Sequence, residues 1–590
     1  MKTPLFGAAA ALAILFTRVL CLVESFDYVI VGAGTCGLLV ANRLSQDPDT
    51  TVALIDPGAD ERNNSLVSDP TLFTRVFLSQ NLDWAYPSVP QAGAAGRVLT
   101  SHAGKGIGGS SLINGMVYIR GDKAQFDAWE ELGNRGWNWN LFLRYYKKLE
   151  RLFPPEPWQV DVGASVRPEN HGYEGDLHVG FVPALQNGSF YHRVRASWGA
   201  LGQGVNRDTL DPGQNRRWDA ATAYFWPVAG RPNLHLLNGT ATRVLWKAGG
   251  VGAEAEGVEY VTPGKERRMV CAKREVILSA GALRTPLILE RSGVGNPRLL
   301  RGRGIEPVVD SPGVGENLIE QPNLSLIYAS KQKLDGASPY AAFVSARDLF
   351  GSSVGEVAAR SRRSLGQWAR QVARRNGGGP GAAAALERIF RIQHGLMFDK
   401  ETTIAEYMTT AFGDRLVASF WALQPFSRGS VHIRPSGAGG DNGTAAVPDA
   451  PAIDTQLLTV DLDTTVQVAA GRVAAQFWST APVSDLVADA LAPNASDQLP
   501  LPPGGEATDA QWRRWARGAV VTNSHPLGTA AMMARELGGV VDPSLAVYGT
   551  ARLRVVDASV LPMQPSGHLT ATLYAVAERA AEMIQAEGRW

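Results

Sequence analysis

A chain of 590 residues is longer than one small domain requires, and 45% apolar against 19% charged residues is a globular balance that excludes disorder or a fibrous repeat for the chain as a whole. A formal net charge of +1 lacks the basic excess of a protein built to grip a phosphate backbone, so no nucleic-acid partner is expected. Three cysteines (Cys21, Cys36, Cys271) are too few for a disulfide framework, which leaves stability to a large core.

Residues 1–25 read as a secretory signal peptide. A basic start at Lys2 precedes an apolar run over 5–16 that is shorter than the ~20 residues a membrane span needs. No later stretch is apolar enough to cross a bilayer, so no stable membrane insertion is expected. N-x-[ST] sequons stand at Asn63, Asn187, Asn238, Asn323, Asn442 and Asn494. With the leader they point to a secreted or secretory-lumen, N-glycosylated product.

The β-prone run 26–31 (FDYVIV) leads into Gly32-Ala33-Gly34-Thr35-Cys36-Gly37, a helical pattern over 38–44, a second β-run over 52–55, and Asp56. Strand, G-x-G-x-x-G, helix, strand and acid in this order form a dinucleotide-binding signature. Gly32 permits a tight turn, Gly34 lets the backbone approach a pyrophosphate, and Gly37 lets helix and strand pack closely. The helix N-terminus offers free N–H groups to phosphates, and Asp56 is placed for a ribose diol. By itself the motif does not separate NAD from FAD.

Residues 103–120 read AGKGIGGSSLINGMVYIR. Glycine this dense suits neither helix nor strand; it makes a loop that exposes backbone N–H groups to something flat or phosphorylated. Further glycine-bearing pieces follow at 279–282, 292–295 and 312–318. The tail carries Asn523-Ser524-His525-Pro526-Leu527-Gly528-Thr529, then Val555-Val556-Asp557-Ala558-Ser559, then Ser566-Gly567-His568. Together these segments resemble the signature regions of the glucose–methanol–choline (GMC) family of FAD oxidoreductases, in its fungal branch. The resemblance runs from about residue 26 to 584, except for 326–420, which has no placed counterpart.

That resemblance implies an α/β fold, in which a Rossmann-like FAD-binding domain is interwoven with an α+β substrate domain built on an antiparallel sheet. The implied blocks are 26–144, 234–322 and 519–590 for FAD, and 145–233 and 323–518 for substrate. It implies FAD contacts at Gly32, Gly34, Thr35, Cys36, Gly37, Asp56, Ser110, Asn114, Gly115, Val117, Val244, Ala558 and Thr570. Asn114 would sit near the flavin ring and Val244 would meet the adenine. Some members attach FAD through a histidine at the position of Ile113, so non-covalent FAD is expected here.

Histidine suits general-base work because its pKa of about 6.5 lies near working pH. In the family the base matches His525, and His568 matches the partner that hydrogen-bonds the same hydroxyl. Rival constellations are weaker. No G-x-S-x-G frames Ser110 and Ser111 as hydrolase nucleophiles, and the spacing of His171 and His178 fits no zinc site, so no metal is expected. The arginine-rich stretch 360–391, broken by Gly377-Gly378-Gly379-Pro380, reads as a solvated insertion over the substrate side. Stretches 437–448 and 493–505 read as exposed loops.

The expected activity is FAD-dependent oxidation of an alcohol on a small molecule, with a place in fungal secondary metabolism and O₂ or another acceptor reoxidising the flavin. The alternative is a non-redox member of the same family, a dehydrating cyclase or lyase that keeps FAD. Ile319-Glu320-Gln321 stands where many relatives have Gln-Asp-His, so sugar specificity does not carry over. Monomer and homodimer both stay open.

Overall fold

In a computed structural model, residues 24–588 are described, apart from 77–78, 162, 182–188, 200–209, 212–214, 250–251, 335–339, 435–450, 494–498 and 500–506. All but the last two residues of the expected leader, the sequons at Asn187, Asn442 and Asn494, and most of both expected loops lie outside the described residues.

Two sheets organise the chain. The first runs in the order Thr240–Trp246, Ala253–Val261, Arg267–Leu278, Ser25–Val31, Val52–Asp56, Leu234–Asn238. Ser25–Val31 is parallel to both neighbours, with Val31 beside Leu278 on one side and Ile55 on the other. Its residues are apolar almost without interruption because both faces are covered, as buried parallel strands require. Helix Thr35–Leu44 packs on it, and helix Leu569–Glu587 packs on that helix. Gly37 is needed where the first helix begins: a Cβ there would lie 2.0 Å from the carbonyl oxygen of Gly32.

The second sheet is antiparallel, in the order Tyr340–Ser345, Thr403–Ala422, Pro322–Leu334, Val487–Ala492. Strand Pro322–Leu334 alternates buried and half-buried residues over its first half, the period-two pattern of a sheet with one face on the core. Helix Asp461–Ser479 covers that face. The fold is thus the expected α/β architecture, a mostly parallel sheet joined to an antiparallel one.

Residues 145–233 are divided between the two cores. Tyr145, Tyr146, Leu149, Leu177, Val179, Tyr224 and Phe225 pack with the parallel sheet, whereas Phe190, Val194 and Trp198 pack with the antiparallel one. Strand Val521–Thr522 pairs with Pro322 and Asn323 and so joins the second sheet.

The arginine-rich insertion is a helical hairpin, Val354–Arg375 and Pro380–Phe398. Leu365, Trp368, Val372, Ile389 and Phe390 face inward at helical spacing, and Ser361 Oγ lies 2.9 Å from His394 Nε2 across the pair. The arginines are exposed. No residue of the hairpin lines the large cavity described below, so its placement over the substrate side is corrected. Among the described residues no helix is long and apolar enough to cross a membrane.

A charged seam ties the two halves. His432 Nδ1 lies 2.6 Å from Glu290 Oε1 and its Nε2 3.2 Å from Glu316 Oε1, while Glu290 Oε2 accepts from the N–H of Ile433. The two carboxylates push the imidazole up to about 10, against the desolvation that opposes it. A raised folded-state pKa means that this contribution is full below 6.5 and is lost as pH rises through about 10. At neutral pH His432→Gln should destabilise the protein by ~3–5 kcal/mol, because it leaves the buried Glu290 carboxylate without its cationic partner. Denaturant titrations should show that the deficit shrinks as pH approaches 10; a deficit constant with pH would contradict the assignment.

Candidate active site

The carboxyl ends of parallel strands are where an open α/β sheet leaves room for a ligand. Here they open on a cavity of about 830 Å³ between the two sheets. Its wall draws on Val31, Ile55, Asp56 and Ala241 from the parallel sheet, and on Met408, Thr410, Val417 and Ser419 from strand Thr403–Ala422. Of the sequence-predicted positions, Gly32, Gly34, Thr35, Cys36, Asp56, Ser110, Asn114, Gly115, Val117, His525, Ala558, His568 and Thr570 all line it. Gly37 and Val244 do not. Gly37 serves packing, and Val244 is buried in its strand with its N–H donated to Ser292 Oγ at 2.8 Å. Thr240 and Ala241 of the same strand reach the cavity instead.

The residues fit a dinucleotide. Helix Thr35–Leu44 begins at Gly34 without a side-chain cap, so its first N–H groups are left for an anion. Gly109 adopts φ +55°, and a Cβ on it would stand 2.7 Å from Gly34 Cα; the two backbones meet there with no room for a side chain. Asp56 accepts from the N–H of Ala33 (2.7 Å) and of Gly58 (2.6 Å), and burial lifts its carboxyl to about 6. It is therefore ionised at neutral pH and retains lone pairs for a ribose. Asn114 is clamped: its Oδ1 accepts from Arg217 Nη1 (2.6 Å) and from the N–H of Met116 (3.0 Å), and its Nδ2 donates to Thr570 Oγ1 (3.2 Å).

His525 and His568 meet edge to face with ring centroids 4.9 Å apart. His568 caps the start of the C-terminal helix, and its Nε2 lies 3.1 Å from Glu406 Oε1, a carboxylate buried in the antiparallel sheet. His525 follows strand Val521–Thr522. Its Nδ1 lies 2.8 Å from Gln321 Oε1 and 3.1 Å from Asn523 Nδ2. Burial and the neighbouring His568 hold His525 well below the ordinary histidine range, so it is neutral at working pH. Behind it, Glu320 Oε1 accepts from the N–H groups of His525 (3.0 Å) and Gln321 (2.9 Å).

Glu406 carries no motif that a single sequence could have flagged, and Glu320, Gln321 and Asn523, although they lie in quoted segments, carry nothing that assigns them to His525. Glu406 lies on a strand with period-two patterning only, and the other three sit among motif residues without a spacing of their own. His171 and His178 are parted by their surroundings: the first lies 2.8 Å from Glu150 Oε2, and the second stacks on Trp218 at 3.7 Å. Among the described residues no group of His, Cys, Asp or Glu could hold a metal.

Known proteins resemble this chain over most of its length. Two GMC oxidoreductase family models match residues 26–323 and 425–577. The glucose oxidase-like protein fsoC of Humicola fuscoatra is 46% identical over 581 residues, covering 95% of this chain and 96% of its own. Glucose oxidase of Penicillium chrysogenum is 32% identical, with 95% and 92% covered. A solved FAD-dependent oxidoreductase from Chaetomium thermophilum superposes with a TM-score of 0.82 at 28% identity, covering 96% of this chain and 100% of that one. A fungal aryl-alcohol oxidase shares the fold with a TM-score of 0.79, at 24% identity and 96% and 99% coverage. The chain belongs to the GMC oxidoreductase family. It is an FAD-dependent oxidoreductase related to glucose oxidase.

Burial raises the Glu320 carboxyl from 4.5 to about 8, and its Oε2 has no hydrogen-bond partner. The folded protein therefore keeps a proton that the unfolded chain releases, and this residue's contribution falls as pH rises from 4.5 toward 8. Glu320→Gln keeps the accepting oxygen and removes the titration. Urea unfolding across that range should show a flatter pH dependence for the variant than for wild type; parallel curves would sink the assignment.

Proposed function

We propose that the protein oxidises an alcohol on an uncharged small molecule with a largely apolar body, using His525 as general base. The observation that carries this reading is a neutral His525 on the cavity wall, ring to ring with His568, whose own Nε2–H is taken by Glu406. When bound, FAD supplies a two-electron acceptor for the carbon–hydrogen bond beside the alcohol. Gly32, Gly34 and Thr35 would face its pyrophosphate, Asp56 its ribose, and Asn114 and Thr570 its ring. His525 takes the hydroxyl proton as the alcohol is oxidised, and His568 orients the same oxygen. Ile113 offers no nucleophile for a covalent link to the flavin, which supports non-covalent FAD.

The substrate side is lined by Met408, Thr410, Val417 and Ser419, with no ionised side chain among them. That supports a neutral, ring-bearing, non-sugar alcohol of the kind met in fungal secondary metabolism, with O₂ or another acceptor reoxidising the flavin. Anaerobic mixing with a panel of aryl, alicyclic and sugar alcohols should bleach the flavin absorbance with the ring-bearing members. His525→Ala should slow bleaching by ~10²–10⁴, the range for loss of a general base. Acid precipitation should leave FAD in the supernatant. Turnover sustained on a 5-deaza analogue of FAD that cannot pass electrons to the acceptor would replace oxidation with a dehydrating or lyase reaction.

The leader and sequons support a secreted, N-glycosylated protein. Asn63 and Asn238 are exposed, whereas Asn323 is half-buried in the second sheet with its Nδ2 donated to Asn523 Oδ1. Expression in a fungal host should give a secreted form lacking about the first 25 residues. Glycosidase treatment should shift its mobility, and Asn63→Gln with Asn238→Gln should reduce that shift. An intact N-terminus retained in the cells would overturn the proposal.

A further inference from the structure

Gln321 is wholly buried, and its amide has only one orientation that satisfies its neighbours. Its Nε2 lies 3.0 Å from the carbonyl oxygen of Leu423, an atom that can only accept, so the NH₂ group must stand there. The oxygen, Oε1, is thereby turned toward His525 Nδ1 at 2.8 Å. An amide oxygen also only accepts. Nδ1 must therefore carry the proton, since a bare Nδ1 would set two lone pairs against each other at that distance.

Asn523 is consistent with the same assignment. Its Nδ2 donates to Gln321 Oε1 at 3.0 Å, which fixes its orientation in turn, and its Oδ1 then faces Asn323 Nδ2 at 2.8 Å. Nδ1 and Nδ2 thus both lie within donor distance of one oxygen, Gln321 Oε1. Asn523 Nδ2 also lies 3.1 Å from Nδ1, but with Nδ1 protonated that contact joins two donors and is not a hydrogen bond.

We propose that Gln321 is a positioning residue that holds His525 in the tautomer with Nδ1 protonated and Nε2 bare. The chain of direction begins at a backbone carbonyl, passes through one neutral amide and ends at the imidazole. Neutrality matters here. A carboxylate in the same place would stabilise the imidazolium and draw the base toward permanent protonation, whereas an amide sets the tautomer and leaves the ring uncharged. His525 is then a free base before substrate arrives, and Glu320 holds its backbone from behind without adding charge.

The inference rests on the reading of His525 as the base, and the test separates the two. Holoenzyme labelled with ¹⁵N-histidine, with His525 assigned by comparison with His525→Gln, should show Nε2 as an unprotonated, pyridine-type nitrogen and Nδ1 as a protonated, pyrrole-type one. Gln321→Met removes the acceptor with little change in volume. It should mix the two tautomers and slow flavin reduction by ~10–10²-fold, the usual cost of losing a group that orients a reacting ligand. Asn523→Ala should leave the His525 tautomer unchanged. A bare Nδ1 in the wild-type spectrum, or a tautomer that switches in Asn523→Ala, overturns the proposal even where Gln321→Met does not fold. If His525→Ala reduces as fast as wild type while the wild-type spectrum shows a bare Nε2, the base assignment fails and the tautomer assignment stands.

Discussion

A short ladder between two remote segments holds the site together. Ile319 and Leu527 exchange both backbone hydrogen bonds (3.0 and 3.1 Å), the N–H of Asn523 donates to the carbonyl of Gln321 (3.1 Å), and Pro322 pairs with Thr522. The partners lie some two hundred positions apart: His525 and Gln321 are separated by 204. Closing so long a loop costs little more than closing a shorter one, because the entropy grows only with the logarithm of length. What the ladder secures is register. A slip of one residue would turn Gln321 away from His525 and bring Glu320 into its place.

Charge is distributed to suit that arrangement. The groups within hydrogen-bonding distance of His525 are neutral: Gln321, Asn523 and a Glu320 that burial keeps protonated at neutral pH. A buried ion without a partner is expensive, and a base that must accept a proton works best where none is already bound. Full charges are placed elsewhere and compensated. His432 sits between two carboxylates at the seam, and Glu150 takes both Arg120 and His171. Glu406 is the buried carboxylate nearest the chemistry, and it meets His568 rather than the base.

The helical hairpin shows how composition misleads when periodicity is ignored. Its arginines are conspicuous in the sequence, yet pairs such as Arg362–Asp399 and Arg391–Glu387 lie in solvent and are worth ~0–1 kcal/mol each. Leu365, Trp368 and Phe390 on the opposite faces contribute far more, at about 1.5–3 kcal/mol for each fully buried side chain. Gln393 anchors the hairpin to the segment after strand Thr403–Ala422 through the carbonyls of Gln424 and Pro425 and through buried Arg428.

The sequence by itself determined whatever depends on local chain geometry. The glycine turn after Val31, the uncapped helix at Gly34, the acid at Asp56 and the glycine loop around Ser110 are legible because each requires particular residues at fixed short spacing. The two histidines were legible through their flanking motifs. Which groups face those histidines was decided only by tertiary structure. Glu406 reaches His568 from a strand whose alternation says inward or outward but not toward what, and Gln321 reaches His525 through a ladder between remote segments. The same holds for Val244, whose place in its strand is local but whose distance from the cavity depends on how the sheet twists. Orientation of a neutral amide leaves no periodic trace, because it is set by a single carbonyl that only the folded chain brings within 3.0 Å.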